Sequence, residues 1–322
     1  MYANQNPERM LREAGEAEQL ELLQTSVHRA YEKAVFYRRH LEEQRVSPAA
    51  IEILADIKKL PFTTRSDLVK TAPLDFLTLP VKKTVRLRLQ EKSNILRAYT
   101  EADVVHNIEL TRRGLAAGGI KQGSVMAIVG GHPEGAVDDV QHAAESLGAA
   151  VVSLGGDFVR AVELIEQLGI DTVIGDPTRI LQLIVTAQAS GREMENLPLR
   201  ACFCLNDAIQ NPIGKYLRMR TGCEIFPLYV ANDIGCTGML YTCQERGGMH
   251  IAADFFYPEV VAFGQDSPVD DEQMGELVVT SLRLEAMPLL RYRTGQAVIM
   301  RRDTCHCGRS SPRFKAPFVQ DK

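Results

Sequence analysis

Residues 125–154, VMAIVGGHPEGAVDDVQHAAESLGAAVVSL, carry the first fold signal. The apolar run 125–129 ends in a glycine pair, the pattern of a buried strand closing in a turn. An amphipathic segment over 135–147 follows and leads into a second apolar run over 150–154. Working outward, the alternation continues. Helices are predicted over 101–117, 158–168 and 177–189 and near 214–220, with strands over 172–174, 200–205 and 224–230. Short buried strands separated by helices of about 10–15 residues argue for βαβ units and a mainly parallel sheet. Upstream, Leu20, Leu23, Val27, Ala30 and Ala34 recur at three- and four-residue intervals, so one helix is predicted through about residue 43. Leu60 to Leu68 reads as an extended stretch running into a capped helix. Downstream, strands are predicted over 275–282 and 296–302 among Gly-, Pro- and Asp-rich turns. The expected fold class is therefore α/β, with stacked α/β subdomains, largely parallel sheets and a small β-rich subdomain. Its divisions are a helical segment 1–80, a core 81–240 and a β-rich subdomain 241–322. The sequence shows no internal repeat and no low-complexity linker.

Composition narrows the class. A chain of 322 residues with 45% hydrophobic and 24% charged residues buries a sizeable core. Its 37 basic and 41 acidic residues leave a net charge of −4, without a basic field for nucleic acid or an anionic membrane. The longest apolar runs fall far short of the ~20 residues that span a bilayer. The polar N-terminal stretch does not read as a secretory signal. Seven cysteines, an odd number, point to reduced thiols and a cytoplasmic setting. The acidic and basic residues over 9–18 read as a solvated helix face.

Two glycine turns follow strands, where a backbone phosphate cradle could form. Gly130-Gly131-His132-Pro133-Glu134-Gly135 follows a strand and opens a helix, but it is neither a dinucleotide fingerprint nor a Walker loop. Gly155-Gly156-Asp157 reads as a turn. His132 lies at the carboxyl end of a strand, where ligands of open α/β sheets collect, and is a candidate pocket residue.

Cys243 and His250, together with Cys305 and Cys307, offer three sulfurs and one imidazole. This is the donor set of a closed structural zinc site, which leaves no open position for catalysis. The bland alternative is a buried Cys243 and an exposed Cys305/Cys307 pair. His306 is expected to point outward. Cys202, Cys204, Cys223 and Cys236 read as core or turn residues.

Several stretches then match a known family. These are YEKAVFYR (31–38), LPFTT (60–64), AESLGA (144–149), GMHI (248–251), DFFYPE (254–259), GELVVTSL (275–282), EAMPLLRYRTG (285–295) and CHCGR (305–309). On these the chain resembles the phenylacetate–coenzyme A ligase branch of the adenylate-forming superfamily. The resemblance implies a large domain of stacked α/β subdomains plus a β-rich one. It also implies a structural zinc on Cys243, His250, Cys305 and Cys307. Active members convert a carboxylate to an acyl-adenylate with Mg-ATP, and coenzyme A then captures it.

The departures concentrate on the nucleotide site. Where the family has a glycine-rich phosphate loop, this chain has VRLRLQEKSNILRAYT (85–100), without glycine and with Glu91 where phosphates would lie. The adenine-site motif reads Tyr229-Val230-Ala231-Asn232-Asp233: the resemblance places Tyr229 on adenine and Asp233 on the magnesium side, and Asn232 replaces a hydroxyl residue. Arg293 is kept, but Gln296 stands where an aspartate would accept the ribose hydroxyls. The C-terminal domain with the catalytic lysine is expected to be absent, so no catalytic residue is assigned.

The leading expectation is a non-adenylating protein whose pocket, near residues 130–135, 176–178 and 229–233, binds a small carboxylate, an aryl ligand or a protein partner. The alternative is an active AMP-forming ligase with an atypical nucleotide site, for which Mg-ATP would be the cofactor. The resemblance also allows a homodimer.

Overall fold

The alternating apolar runs and amphipathic segments become strands and helices in the computed structural model, which describes residues 15–90, 93–130, 136–206 and 212–316. In chain order the elements begin with α1 (Glu16–Lys33), α2 (Val35–Glu43), α3 (Arg65–Lys70), β1 (Arg86–Leu89), β2 (Leu96–Tyr99) and α4 (Glu101–Ala117). There follow β3 (Val125–Val129), α5 (Ala136–Ser146), β4 (Ala150–Leu154), α6 (Phe158–Leu168), β5 (Thr172–Gly175), α7 (Pro177–Ala189), β6 (Ala201–Asn206) and α8 (Pro212–Thr221). The series closes with β7 (Glu224–Ala231), β8 (Cys236–Thr242), β9 (Met249–Ile251), β10 (Phe256–Val261), β11 (Met274–Ser281), β12 (Tyr292–Arg301) and β13 (Arg313–Lys315). The chain divides into two units.

The first unit comprises Asn107–Ala231 and Cys236–Met249. Its strands lie in the order β8-β7-β6-β5-β3-β4, with β3 to β7 parallel and β8 antiparallel to β7. Both faces are covered, as a parallel sheet requires. On one face Val129, Val173, Cys202, Cys204 and Ile225 pack with Ile165, Ile180, Leu183 and Leu217 from α6, α7 and α8. On the other, α4 comes down onto the sheet through two glycines. A Cβ on Gly114 would lie 2.4 Å from Leu228 Cδ1, and one on Gly118 would lie 2.4 Å from Phe203 Cζ. The Phe203 and Phe226 rings stack at 5.1 Å. Cys202, Cys204, Cys223 and Cys236 are all buried, as core or turn residues should be.

The second unit holds the residues through His106, Asn232–Gly235 and those from His250 onward. Its strands run in the order β10-β11-β12-β13-β9, and β10 through β13 form an antiparallel meander. The LPFTT segment lies beside β12. Thr63 N donates to Arg291 O at 3.1 Å, and Arg293 N donates to Thr63 O at 2.9 Å. The buried Tyr37 hydroxyl ties the same place together. It pairs with Thr63 Oγ1 at 3.0 Å and accepts from Leu290 N at 3.0 Å, while Thr63 Oγ1 donates to Leu290 O at 2.7 Å. Burial pushes the Tyr37 phenol up to about 12. The matched LPFTT and PLLRYRTG motifs are thus one hydrogen-bonded structure.

Arg291 anchors this junction. It is 1% exposed and forks onto Glu259, with Nε to Oε2 at 3.1 Å and Nη2 to Oε1 at 3.0 Å. It also reaches Asp266 Oδ1 at 2.7 Å and donates to Leu60 O at 2.8 Å, lying over the Phe62 ring at 4.1 Å.

The N-terminal helix differs from expectation. It breaks at Ala34, whose φ of −95° and ψ of 121° end α1 and start α2. Tyr37 and Leu41 continue the spacing of the α1 stripe, so periodicity runs straight through the break. The change of axis lets Phe36, Tyr37 and Leu41 bury on their own account, with Phe36 against Phe76 at 4.3 Å between ring centroids. The capped helix after Leu60 is α3, where Thr64 and Asp67 form a capping box.

Candidate functional site

The run expected to depart from the family's phosphate loop is a hairpin. Strands β1 and β2 pair antiparallel, Arg86 opposite Tyr99 and Leu89 opposite Leu96. The described donors at its tip bond within the hairpin. Gln90 N donates to Ile95 O at 2.9 Å, Asn94 N to Gln90 O at 2.9 Å, and Ile95 N to Ser93 Oγ at 3.4 Å. Ser93 Oγ donates in turn to Gln90 Oε1 at 2.6 Å. Asn94 supplies the left-handed turn residue, with φ of 56°, which a glycine would otherwise provide. A phosphate cradle needs several backbone N–H groups turned toward one anion; here the N–H groups of Gln90, Asn94 and Ile95 face the chain itself. Glu91 lies outside the described residues.

Asp233 is held from two sides. The Tyr292 hydroxyl donates to its Oδ2 at 2.6 Å, and Arg65 Nη1 stands 3.3 Å from the same oxygen. A guanidinium therefore occupies the cationic role beside this carboxylate. Arg65 enters from the first residue of α3, directly after LPFTT, and Tyr292 from the start of β12. Nearby, Tyr99 donates its hydroxyl proton to Gly235 O at 2.8 Å, and Gly235 leaves no room for a side chain, since a Cβ would lie 2.4 Å from that hydroxyl oxygen.

Arg293 is engaged with Glu276. Its Nε and Nη2 donate to Glu276 Oε2 at 2.9 and 2.6 Å, and Glu276 Oε1 accepts from Gly295 N at 3.1 Å. Gln296 sits in the same turn, its N–H donating to Thr294 Oγ1 at 3.2 Å. Its side chain is partly exposed, as is that of Asn232. In the first unit, Tyr229 is buried near the end of β7, and Asp176 caps α7 by accepting from Thr178 N at 2.7 Å. Gly175, just before it, admits no side chain because a Cβ would lie 2.6 Å from Val129 O. Strand β3 lies between β4 and β5, so the carboxyl end of β3 is a topological switch point. His132 and residues 131–135 lie outside the described residues.

The sequence pattern missed the partners. Arg65, Tyr292 and Glu276 pair with Asp233 and Arg293, yet no spacing rule links them. Their one signal is that Tyr292 and Glu276 belong to the quoted motifs and Arg65 directly follows one.

The soft donors do converge. One ligand atom from each of Cys243, His250, Cys305 and Cys307 lies within 4.8 Å of all the others. His250 Nε2 stands 3.5 Å from Cys307 Sγ, and its Nδ1 pairs with Ser311 Oγ at 3.3 Å, which orients the ring as a metal-bound imidazole needs. Burial, helped by Arg309 and Arg313, lowers His250 to about 4, so the imidazole is neutral and can bind a cation. Burial works to raise the Cys307 thiol, but hydrogen bonds from the backbone and guanidinium of Arg309 outweigh it and hold it low. A neutral imidazole and a thiol inclined to ionise are what a metal demands of its donors. The Cys305 N–H closes the Cys-x-Cys turn by donating to Arg309 O at 2.9 Å.

These elements define a class. The structure superimposes on 2-hydroxyisobutyryl-CoA ligase, solved in the postadenylation state with 2-HIB-AMP, with a TM-score of 0.87 at 21% identity. That match covers 96% of this chain and 69% of the other, and the fold is that of the adenylate-forming CoA ligases. No family model matches the sequence. The phenylacetate–coenzyme A ligase of Thermus thermophilus is 31% identical over 315 residues, 95% of this chain and 70% of that protein. The Pseudomonas putida phenylacetate–coenzyme A ligase is 29% identical over 284 residues, 86% of this chain and 64% of that protein. The chain belongs to the phenylacetate–coenzyme A ligase family, and it spans 70% and 64% of the length of these two relatives. No helix among the described residues is long and apolar enough to cross a membrane.

Proposed function

We propose that this family member does not adenylate and instead binds a small carboxylate or aryl ligand on the inherited fold, with a structural zinc on Cys243, His250, Cys305 and Cys307. The hairpin turn carries the reading, because the N–H groups of Gln90, Asn94 and Ile95 are bonded within it and would have to be torn loose to hold a triphosphate. Two further features support it. A magnesium ion at Asp233 would have to displace or face the Arg65 guanidinium. Gln296 offers a neutral acceptor where ribose hydroxyls would want a carboxylate. For the zinc, three sulfurs and one nitrogen within 4.8 Å are close to the ~3.8 Å edge of a tetrahedron with 2.3 Å bonds. Seven cysteines without a disulfide fit a cytoplasmic setting.

Calorimetric titration of the zinc-replete protein with Mg-ATP, with and without phenylacetate, tests this. Absent or millimolar nucleotide binding and no pyrophosphate release are expected. Micromolar binding with pyrophosphate release would overturn the proposal.

A second reading, an AMP-forming ligase with an atypical nucleotide site, draws support from the carboxylate at Asp233 and from the ligase relatives. Under that reading Asp233→Ala abolishes pyrophosphate release; under ours there is no such release to abolish.

A further inference from the structure

Strand β1 has an open edge. Among the described residues its sheet contains only β1 and β2. The bond from Gln90 N to Ile95 O fixes which residues face β2, since alternate residues of an antiparallel pair exchange bonds. Arg86 and Arg88 share the parity of Gln90, so the N–H and C=O groups of Leu87 and Leu89 point to the other side. The side chains follow a second alternation. Leu87 and Leu89 form one row, exposed by 50 and 56%. Arg86 and Arg88 lie on the opposite face, over the Tyr99 ring at 6.0 and 5.3 Å.

An exposed apolar row beside ladder groups that no described strand takes up is a template for another strand. Its charge selects what can pair. Lys82, Lys83, Arg86 and Arg88 are basic, and no acidic residue occurs over 76–90, although the whole chain carries −4. The β1 strand of a second copy would set arginine against arginine, which cross-strand pairing penalises. A lipid surface would use the basic and apolar groups but leave the ladder groups to water.

We propose that the β1 edge takes an extended segment of a partner protein as an added strand, with acidic residues alternating with apolar ones. The acids would pair beside Arg86 and Arg88, and the apolar side chains would cover Leu87 and Leu89. The proposal does not rest on the state of the nucleotide site.

The test uses a fluorescent synthetic peptide alternating glutamate and valine, a lysine–valine peptide of equal length, and phosphatidylserine vesicles. The glutamate peptide should bind and the lysine peptide should not, and binding should slow hydrogen exchange at the Leu87 and Leu89 amides. The R86E/R88E variant should lose the glutamate peptide by tenfold or more and gain the lysine peptide. Because Arg86 and Arg88 pack on Tyr99, the exposed K82E/K83E pair serves as a second variant and should weaken binding severalfold with an unchanged melting temperature. Three results would each overturn the proposal: no peptide binding, binding without protection at Leu87 and Leu89, or vesicle binding in place of peptide binding.

Discussion

Replacing Arg291 by methionine keeps much of the side-chain volume and removes every charge-assisted bond at the junction of LPFTT and β12. The cost can be worked out bond by bond. Glu259, with 14% of its side chain exposed, loses a bidentate partner, and breaking a buried ion pair from one side costs about 3–5 kcal/mol. The buried Leu60 carbonyl loses its donor, for roughly another 1 kcal/mol. Asp266 is 56% exposed, so its share is screened and adds little. The expected loss is about 4–6 kcal/mol, a large part of the ordinary stability of a domain. Burial already raises the Glu259 carboxyl despite the pull of Arg291. Without the arginine it should rise further and take up a proton. A carboxyl raised in the folded state stabilises below its folded pKa and loses that contribution as pH rises through it, so R291M should be more stable near pH 5 than near pH 8. Urea unfolding followed by circular dichroism reads both effects. The double variant R291M/E259Q removes the stranded charge and should recover roughly half the loss. A loss below about 1 kcal/mol for R291M, or a double variant no better than the single one, would refute the assignment of Arg291 as the anchor.

Other outcomes follow from the same geometry. Gly118→Ala drives a methyl into Phe203 and should cost about 1–3 kcal/mol, read as a lower melting temperature by calorimetry. Tyr37 is neutral and buried with a pKa of about 12 against an ordinary 10.0, so its contribution, on the order of 3 kcal/mol, is complete below pH 10 and disappears as pH rises toward 12. Tyr37→Phe should flatten that alkaline loss in pH-dependent melts while lowering stability at neutral pH, because Leu290 N loses its acceptor. Chelation of the proposed zinc, or His250→Ala, should lower the melting temperature and make the β-rich region the first to open in hydrogen exchange. An unchanged protection pattern would argue against a structural ion.

How far the sequence reached depends on the kind of interaction. Strands β3 and β4 and helices α4, α6 and α7 lie where periodicity puts them; β3 buries its apolar run, and β4 at the sheet edge buries Leu154. The soft-donor set was legible too, since Cys-x-Cys and a Cys/His pair are uncommon and chemically narrow. The break at Ala34 was not, because its apolar spacing runs on into Tyr37 and Leu41. The hairpin of β1 and β2 was also hidden: glycine-free and arginine-rich, it was legible only as a departure from a loop. Least visible were the ion pairs of Asp233 with Arg65 and of Arg293 with Glu276. Local pattern holds no record of a partner on a distant element.

The bond from Thr63 to Leu290 spans 227 positions along the chain. At about 5–20 residues per second, a ribosome needs on the order of 10–45 seconds to deliver the second partner after the first. Throughout that interval Tyr37 and Thr63 have each other but lack the Leu290 backbone they share, while every strand of the parallel sheet is synthesised. The second unit therefore completes late in translation. A substitution at Thr63 or Tyr37 therefore leaves the Leu290 contacts untouched during that interval and takes effect on them only once the second unit closes.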